Sequence, residues 1–298
     1  MTELLALDLA GRCMHAIALD GSGVRTVVEG LTDMPDGIVV DQLRGHIYWT
    51  NMGRPDPGFT PGTEPDFFSR NGSVERVDLD GGNRRYVVEP GGFTTGKQIT
   101  ADFEAGRLYW CDREGMQVLT CDLDGGDLHP LIVTGEGPED AGTVRNWCVG
   151  ICVDLDRRLL YWTQKGPAKG GDGRILRAPL DLPAGVSARD RVDVTTLFEN
   201  LPEPIDLELR GATLLWTDRG APPDGNSLNR ATVVPEPGPA QVLSRGYREA
   251  IGLASIGSRF YVSDLGGTVR AVDLDTGTES VLARLGSPLT GLAVADLA

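Results

Sequence analysis

The chain has 298 residues, is 40% hydrophobic and 24% charged, and carries a formal net charge of −15, so it is long enough to bury a sizeable core. Its 40 glycines keep no triplet period, which excludes collagen. No run of 18 apolar residues predicts a membrane-spanning helix. The acidic balance argues against nucleic acid and anionic membranes as partners, because both reward a basic footprint. Met1-Thr2-Glu3-Leu4-Leu5 offers no basic n-region and no long apolar stretch, so we expect no signal peptide and a cytoplasmic protein. Five cysteines (13, 111, 121, 148, 152) are an odd number for a disulfide framework, and the three histidines (15, 46, 129) are scattered, with no zinc-ligand spacing. We read the thiols as buried small hydrophobes.

Taken in chain order, the segments read as short strands bounded by Gly, Pro or Asp. Glu3–Asp8, His15–Asp20 and Arg25–Val28 come first. Gly37-Ile38-Val39-Val40-Asp41 then leads to Ile47-Tyr48-Trp49-Thr50-Asn51, and Val77-Asp78-Leu79-Asp80-Gly81 leads to Arg85–Val88. The same order returns around Leu108-Tyr109-Trp110-Cys111-Asp112, Leu160-Tyr161-Trp162-Thr163-Gln164, Leu214-Leu215-Trp216-Thr217-Asp218 and, more weakly, Phe260-Tyr261-Val262-Ser263-Asp264. Asp-Gly pairs such as Asp80-Gly81 and Asp124-Gly125 supply the positive φ that tight turns require. Five such units account for most of the chain. A sixth starts at Thr290–Val294 and lacks its outer strands, which the amino-terminal segments supply.

These repeats resemble the six-bladed YWTD propeller of the low-density lipoprotein receptor family. The resemblance covers essentially the whole chain. It implies an all-β fold of four-stranded antiparallel blades, one domain over 1–298, with the ring closed by both termini sharing a blade. The wider superfamily includes gluconolactonase-like and strictosidine-synthase-like enzymes, so the fold alone leaves function open.

The repeated Trp and Asp residues read as packing and backbone-bonding positions of a repeat fold. Departures from the repeat say more. Aligned inner strands place Gly37, Gln98, Gly150, Asp206, Gly252 and Gly291 at one position, so Gln98 and Asp206 put polar side chains where four blades have none. Upstream lie Asp36, Lys97, Asn146, Trp147, Glu203, Tyr247, Arg248 and Glu249. The only lysines, Lys97, Lys165 and Lys169, fall on this same face. Residues 52–72 form a long insertion with Phe59, Phe67 and Phe68, of a length that often serves as a lid or binding element.

No nucleophile elbow, P-loop or dinucleotide-binding glycine pattern is present. Carboxylates are the plausible reactive groups: Glu249, Glu203 and Asp206 as general acid and base, with Gln98, Lys97, Asn146, Trp147, Tyr247, Arg248, Asp36, Phe67 and Phe68 binding a small-molecule substrate. The resemblance to strictosidine synthase, where a pocket Glu carries the proton, suits an imine-driven condensation or an isomerisation in small-molecule metabolism, with no cofactor. Two alternatives stand beside it. One is a lactonase-like hydrolase holding Ca²⁺ or Mg²⁺ through Asn146, Asp206, Gln98 and Glu203. The other is a propeller that binds a protein or ligand and does no chemistry.

Overall fold

The computed structural model describes residues 1–58 and 65–297. Twenty-four strands form six four-stranded antiparallel sheets arranged as blades around a central channel. From the channel outward, blade one consists of Pro35–Asp41, His46–Asn51, Gly72–Asp78 and Arg85–Phe93. The inner strands of blades two to five are Gly96–Asp102, Cys148–Asp154, Pro204–Arg210 and Ala250–Ile256. The closing blade takes its inner strand, Leu289–Asp296, from the carboxyl terminus. Its other three, Thr2–Asp8, Cys13–Ala18 and Val24–Glu29, come from the amino terminus. The six-bladed, four-stranded fold expected from the repeats is therefore the observed one.

Each residue of the repeated motif has a separate physical task. Trp49, Trp110, Trp162 and Trp216 are at most 1% exposed, and each packs back onto the preceding blade: Trp110 against Tyr48, Val74 and Val87, Trp216 against Tyr161 and Ile175. The hydroxyl of the motif threonine crosses the gap the other way. Thr50 accepts from Gly37 N at 2.9 Å and donates to Lys97 O of blade two at 2.6 Å. Thr163 and Thr217 repeat this with Ile205 O and Ile251 O, and Ser263 bridges Gly252 N to Thr290 O. Blade two has Cys111 instead, whose thiol reaches Gly150 O at 3.4 Å.

The inner strands share an irregularity at this level. Pro35 pairs with Asn51 but Ile38 pairs with Trp49, so two residues oppose one. The same bulge recurs in blades two to five. Where the motif has Thr or Ser, the extra residue's N–H turns from the ladder to the hydroxyl; the closing blade carries the same bulge opposite Leu7. There the inner strands also approach most closely: a Cβ on Gly150 would sit 1.8 Å from Ile205 O, and one on Gly37 2.6 Å from Gln98 Cα. Glycine at these axial positions is a steric requirement. The motif aspartate closes the loops above: Asp112 accepts from Thr94, Thr95 and Gly115 N, and Asp218 from Glu203 and Gly220 N.

Candidate functional site

The residue that follows the motif's last position points toward the channel mouth in every blade. In chain order these are Leu9, Met52, Arg113, Lys165, Arg219 and Leu265. Three adjacent blades contribute cations and the other three contribute apolar side chains, so the mouth has a cationic half and an apolar half. One step deeper, the residues before the axial position are Asp36, Lys97, Val149, Ile205, Ile251 and Thr290.

These two tiers enclose a cavity of about 480 Å³ at the mouth. Val149, Ile205 and Ile251 form a small apolar cluster that constricts the channel beneath it. Below the neck lies a separate cavity of about 210 Å³, which shares no lining residue with the upper one and holds Gln98, Asp206 and Glu208. The residues expected to act together are thus divided. Glu203, Glu249, Asp36, Lys97 and Phe67 line the upper cavity. Asp206 and Gln98 face the lower one.

Charge pairing in the upper cavity is dense. Glu203, 1% exposed, accepts from Lys165 Nζ at 3.0 Å, Arg219 Nε at 2.7 Å and Lys169 N at 3.0 Å. Glu249 stands 3.7 Å from Lys169 Nζ and 3.9 Å from Arg219 Nη1, held at φ 64°, a conformation costly for a non-glycine residue. Lys97 Nζ donates to Asp36 at 2.7 Å, and Gln98 Nε2 reaches the other oxygen of Asp36 from below at 3.2 Å. Burial pulls the Lys97 ammonium down from its usual range, against the attraction of Asp36. Arg113 pairs with Glu114 at 2.7 Å and lies over the rings of Trp147 and Phe67, at 4.9 and 5.7 Å. Counting the described residues named here, five cations (Lys97, Arg113, Lys165, Lys169, Arg219) meet four carboxylates (Asp36, Glu114, Glu203, Glu249). In the lower cavity, burial pushes the Asp206 carboxyl up to about 8, with Asp36 and Glu208 adding to the rise.

The insertion 52–72 contributes Met52, Pro65 and the buried Phe67 to the mouth, and Thr95 Oγ1 anchors it by donating to Phe67 O at 2.8 Å. Phe68 is 45% exposed and meets Trp147 edge-on at 6.2 Å. Phe59 lies outside the described residues.

Five residues expected at the channel are placed elsewhere. Phe68 lines a neighbouring cavity of about 620 Å³ with Glu114 and Met116. Trp147, 9% exposed, lies beneath Arg113 and donates from its Nε1 to Ala141 O at 2.8 Å. Tyr247 is core: it is 4% exposed, its hydroxyl donates to Ser244 and Arg270 covers its ring. Arg248 is exposed and does not line the cavity; its backbone N–H caps Asp264. Asn146 ends a short 3₁₀ turn and donates to Asp140 O at 3.3 Å. The four oxygen donors Asn146, Asp206, Gln98 and Glu203 consequently do not converge on one point.

Arg113, Glu114 and Arg219 were missed by sequence reasoning, although one signal was available. The residue directly after each repeat is basic in three successive blades, Asp112-Arg113, Gln164-Lys165 and Asp218-Arg219.

A six-bladed ring with the repeated Tyr-Trp strands packed between its blades defines a propeller of the YWTD class. No protein-family model matches the chain. A protein of Pyricularia oryzae named Low-density lipoprotein receptor-related protein 1 is 43% identical over 291 residues, covering 92% of this chain and 89% of that protein. The chain belongs to this receptor-related family of YWTD propellers. A Cochliobolus heterostrophus protein named 3-hydroxyacyl-CoA dehydrogenase-like protein LAM1 is 36% identical over 87% of this chain, which spans 55% of that protein. Mouse Low-density lipoprotein receptor-related protein 5 is 32% identical over 49% of the chain and 7% of its own length. Among solved structures, one titled Crystal structure of Nidogen/Laminin Complex superposes with a TM-score of 0.76 over 99% of both chains at 19% identity, which shows a shared fold.

These relatives overturn the expectation of a small-molecule enzyme of strictosidine-synthase type with a biosynthetic role and a small-molecule substrate as its partner. They carry receptor-related names. The geometry agrees: Glu203, the expected acid or base, is saturated by three donors, and Asp206 is walled off from it. The dehydrogenase-like name finds no βαβ unit among the described residues.

Proposed function

We propose that this is a binding propeller that does no chemistry. It takes at its channel mouth a segment of a partner protein in which an acidic side chain neighbours an apolar one. The observation that carries this reading is the split ring above the neck, with Arg113, Lys165 and Arg219 on one side and Leu265, Leu9 and Met52 on the other. A carboxylate entering the cationic half gains charge-assisted hydrogen bonds in a site screened from solvent. Its apolar neighbour covers the opposite wall, formed by Leu265, Leu9 and Met52.

Panning a random-peptide library on the immobilised protein tests this. Enriched peptides should place Asp or Glu beside an aliphatic or aromatic residue. Lys169→Glu, exposed, and Leu265→Ala, half-buried, both lining the mouth, should each weaken binding roughly tenfold, about 1.4 kcal/mol. Enrichment of basic peptides, or binding indifferent to both substitutions, overturns the reading.

A further inference from the structure

We propose that Asp8, Cys13 and His15 form a zinc site in the blade shared by the two termini. Asp8 ends the second strand of that blade, Cys13 starts the third, and His15 lies two residues on, on the same face. Cys13 Sγ is 3.2 Å from His15 Nε2, which is 3.3 Å from Asp8 Oδ2, and all three donor atoms fall within 4.8 Å of one another. A tetrahedral zinc ion with bonds of about 2.0–2.3 Å sets its donors roughly 3.3–3.6 Å apart.

Hydrogen bonding alone leaves this triangle poorly served. Nε2 faces a carboxylate and a sulfur at once and has one proton at most. His15 Nδ1 is buried without a partner, so among the described residues the ring is held through Nε2 alone. Asp8 Oδ1 is already engaged by Gly11 N and by the Ser287 hydroxyl, which leaves Oδ2 for the triangle.

The other blades show what the position does without a metal. Asn51 donates to Ser73 Oγ and to Glu75 at 2.9 Å in blade one, and Asn229 donates to Ser227 Oγ at 2.9 Å in blade four. There the third-strand positions are Ser with Glu or Asn. The closing blade holds Cys and His beside an aspartate, the imidazole, sulfur and carboxylate set that zinc favours. Three protein ligands leave a fourth position for water. Binding displaces the Cys13 thiol proton to solvent, and Asp8, the thiolate and Glu29, which pairs with Cys13 across the strands, offset the charge of the ion.

The test uses the full chain freed of metal by chelation, titrated with zinc and, separately, with cobalt(II). One zinc per chain, a rise in melting temperature with zinc, and a thiolate-to-cobalt charge-transfer band are expected. Cys13→Ser and His15→Asn restore the residue types of blades one and four and so retain a hydrogen-bonded triangle. Each should abolish the charge-transfer band or the stoichiometric binding, weakening zinc by more than the roughly 10–100-fold that loss of a supporting partner costs. Absence of stoichiometric zinc binding in the wild type, or binding unchanged in both variants, overturns the proposal. Four other thiols are present, and the variants separate their contribution from that of Cys13.

Discussion

Replacing Asp206 with Asn should reverse its effect on stability between acid and alkaline pH. The carboxyl is 7% exposed, and burial raises it from 3.8 to about 8 in the folded protein. Between those values the folded chain keeps the proton while the unfolded chain releases it. Ionisation therefore favours unfolding, and stability falls as pH rises through this window, levelling off above about 8. At about 1.4 kcal/mol per unit, the full window is worth on the order of 5 kcal/mol. Asparagine cannot ionise and escapes this loss. It has one carbonyl, however, where Asp206 accepts Leu207 N and Leu253 N on separate oxygens, both at 2.9 Å. An orphaned N–H costs about 1–3 kcal/mol at any pH. The variant should thus be less stable than wild type at pH 4.5 and more stable by about 2–4 kcal/mol at pH 9, the curves crossing between roughly pH 4.5 and 6. Urea unfolding across this range, with equal slopes for the two proteins, measures the difference directly. A variant as destabilised at pH 9 as at pH 4.5 would refute the reasoning and mean that the lower cavity keeps Asp206 hydrated and ionised.

Two further expectations follow from buried polar groups elsewhere in the ring. Thr217→Val preserves shape but removes the hydroxyl that joins Asp206 N to Ile251 O across two blades; it should cost about 1–3 kcal/mol, read as a lower denaturation midpoint with unchanged circular dichroism. Glu203→Gln removes the charge that Lys165 and Arg219 share, both largely buried, and should cost about 3–5 kcal/mol; a loss under about 1 kcal/mol would show the pair to be as weak as a surface ion pair.

The ring was readable because its cause is periodic. A strand related to Tyr-Trp-Thr-Asp recurs in five blades, four of them with the tryptophan, and its residues meet equivalent neighbours in each. The blade assembled from Leu289–Asp296 and the first three strands was readable as well, because the fragments at the two ends complement each other. The mouth was only half readable. Lys97, Glu203 and Glu249 were found because they lie just before the inner strands, whereas Arg113 and Arg219 follow the motif strand, a position that the sequence reading did not align across blades. Asp206 was misgrouped with Glu203: three residues apart, they sit on opposite sides of a neck made by Val149, Ile205 and Ile251, and that neck exists only once three blades meet. Tyr247 and Arg248 were misplaced for a related reason. Proximity to an inner strand says nothing of which way a side chain turns, and Tyr247 turns into the core between blades. The Asp8, Cys13 and His15 grouping spans a hairpin turn, so its spacing matches no familiar zinc motif.

The blade shared by the termini has a consequence for how the chain comes into being. Its second, third and fourth strands are made before the other five blades and its innermost strand after them, with Leu4 pairing with Val294 and Thr2 with Asp296. Five blades can zip to their neighbours as they are made, yet the first three strands must wait, one edge bare, for Leu289–Asp296. Contacts of such sequence separation form late and slowly. The seam is thus the last part of the ring to close.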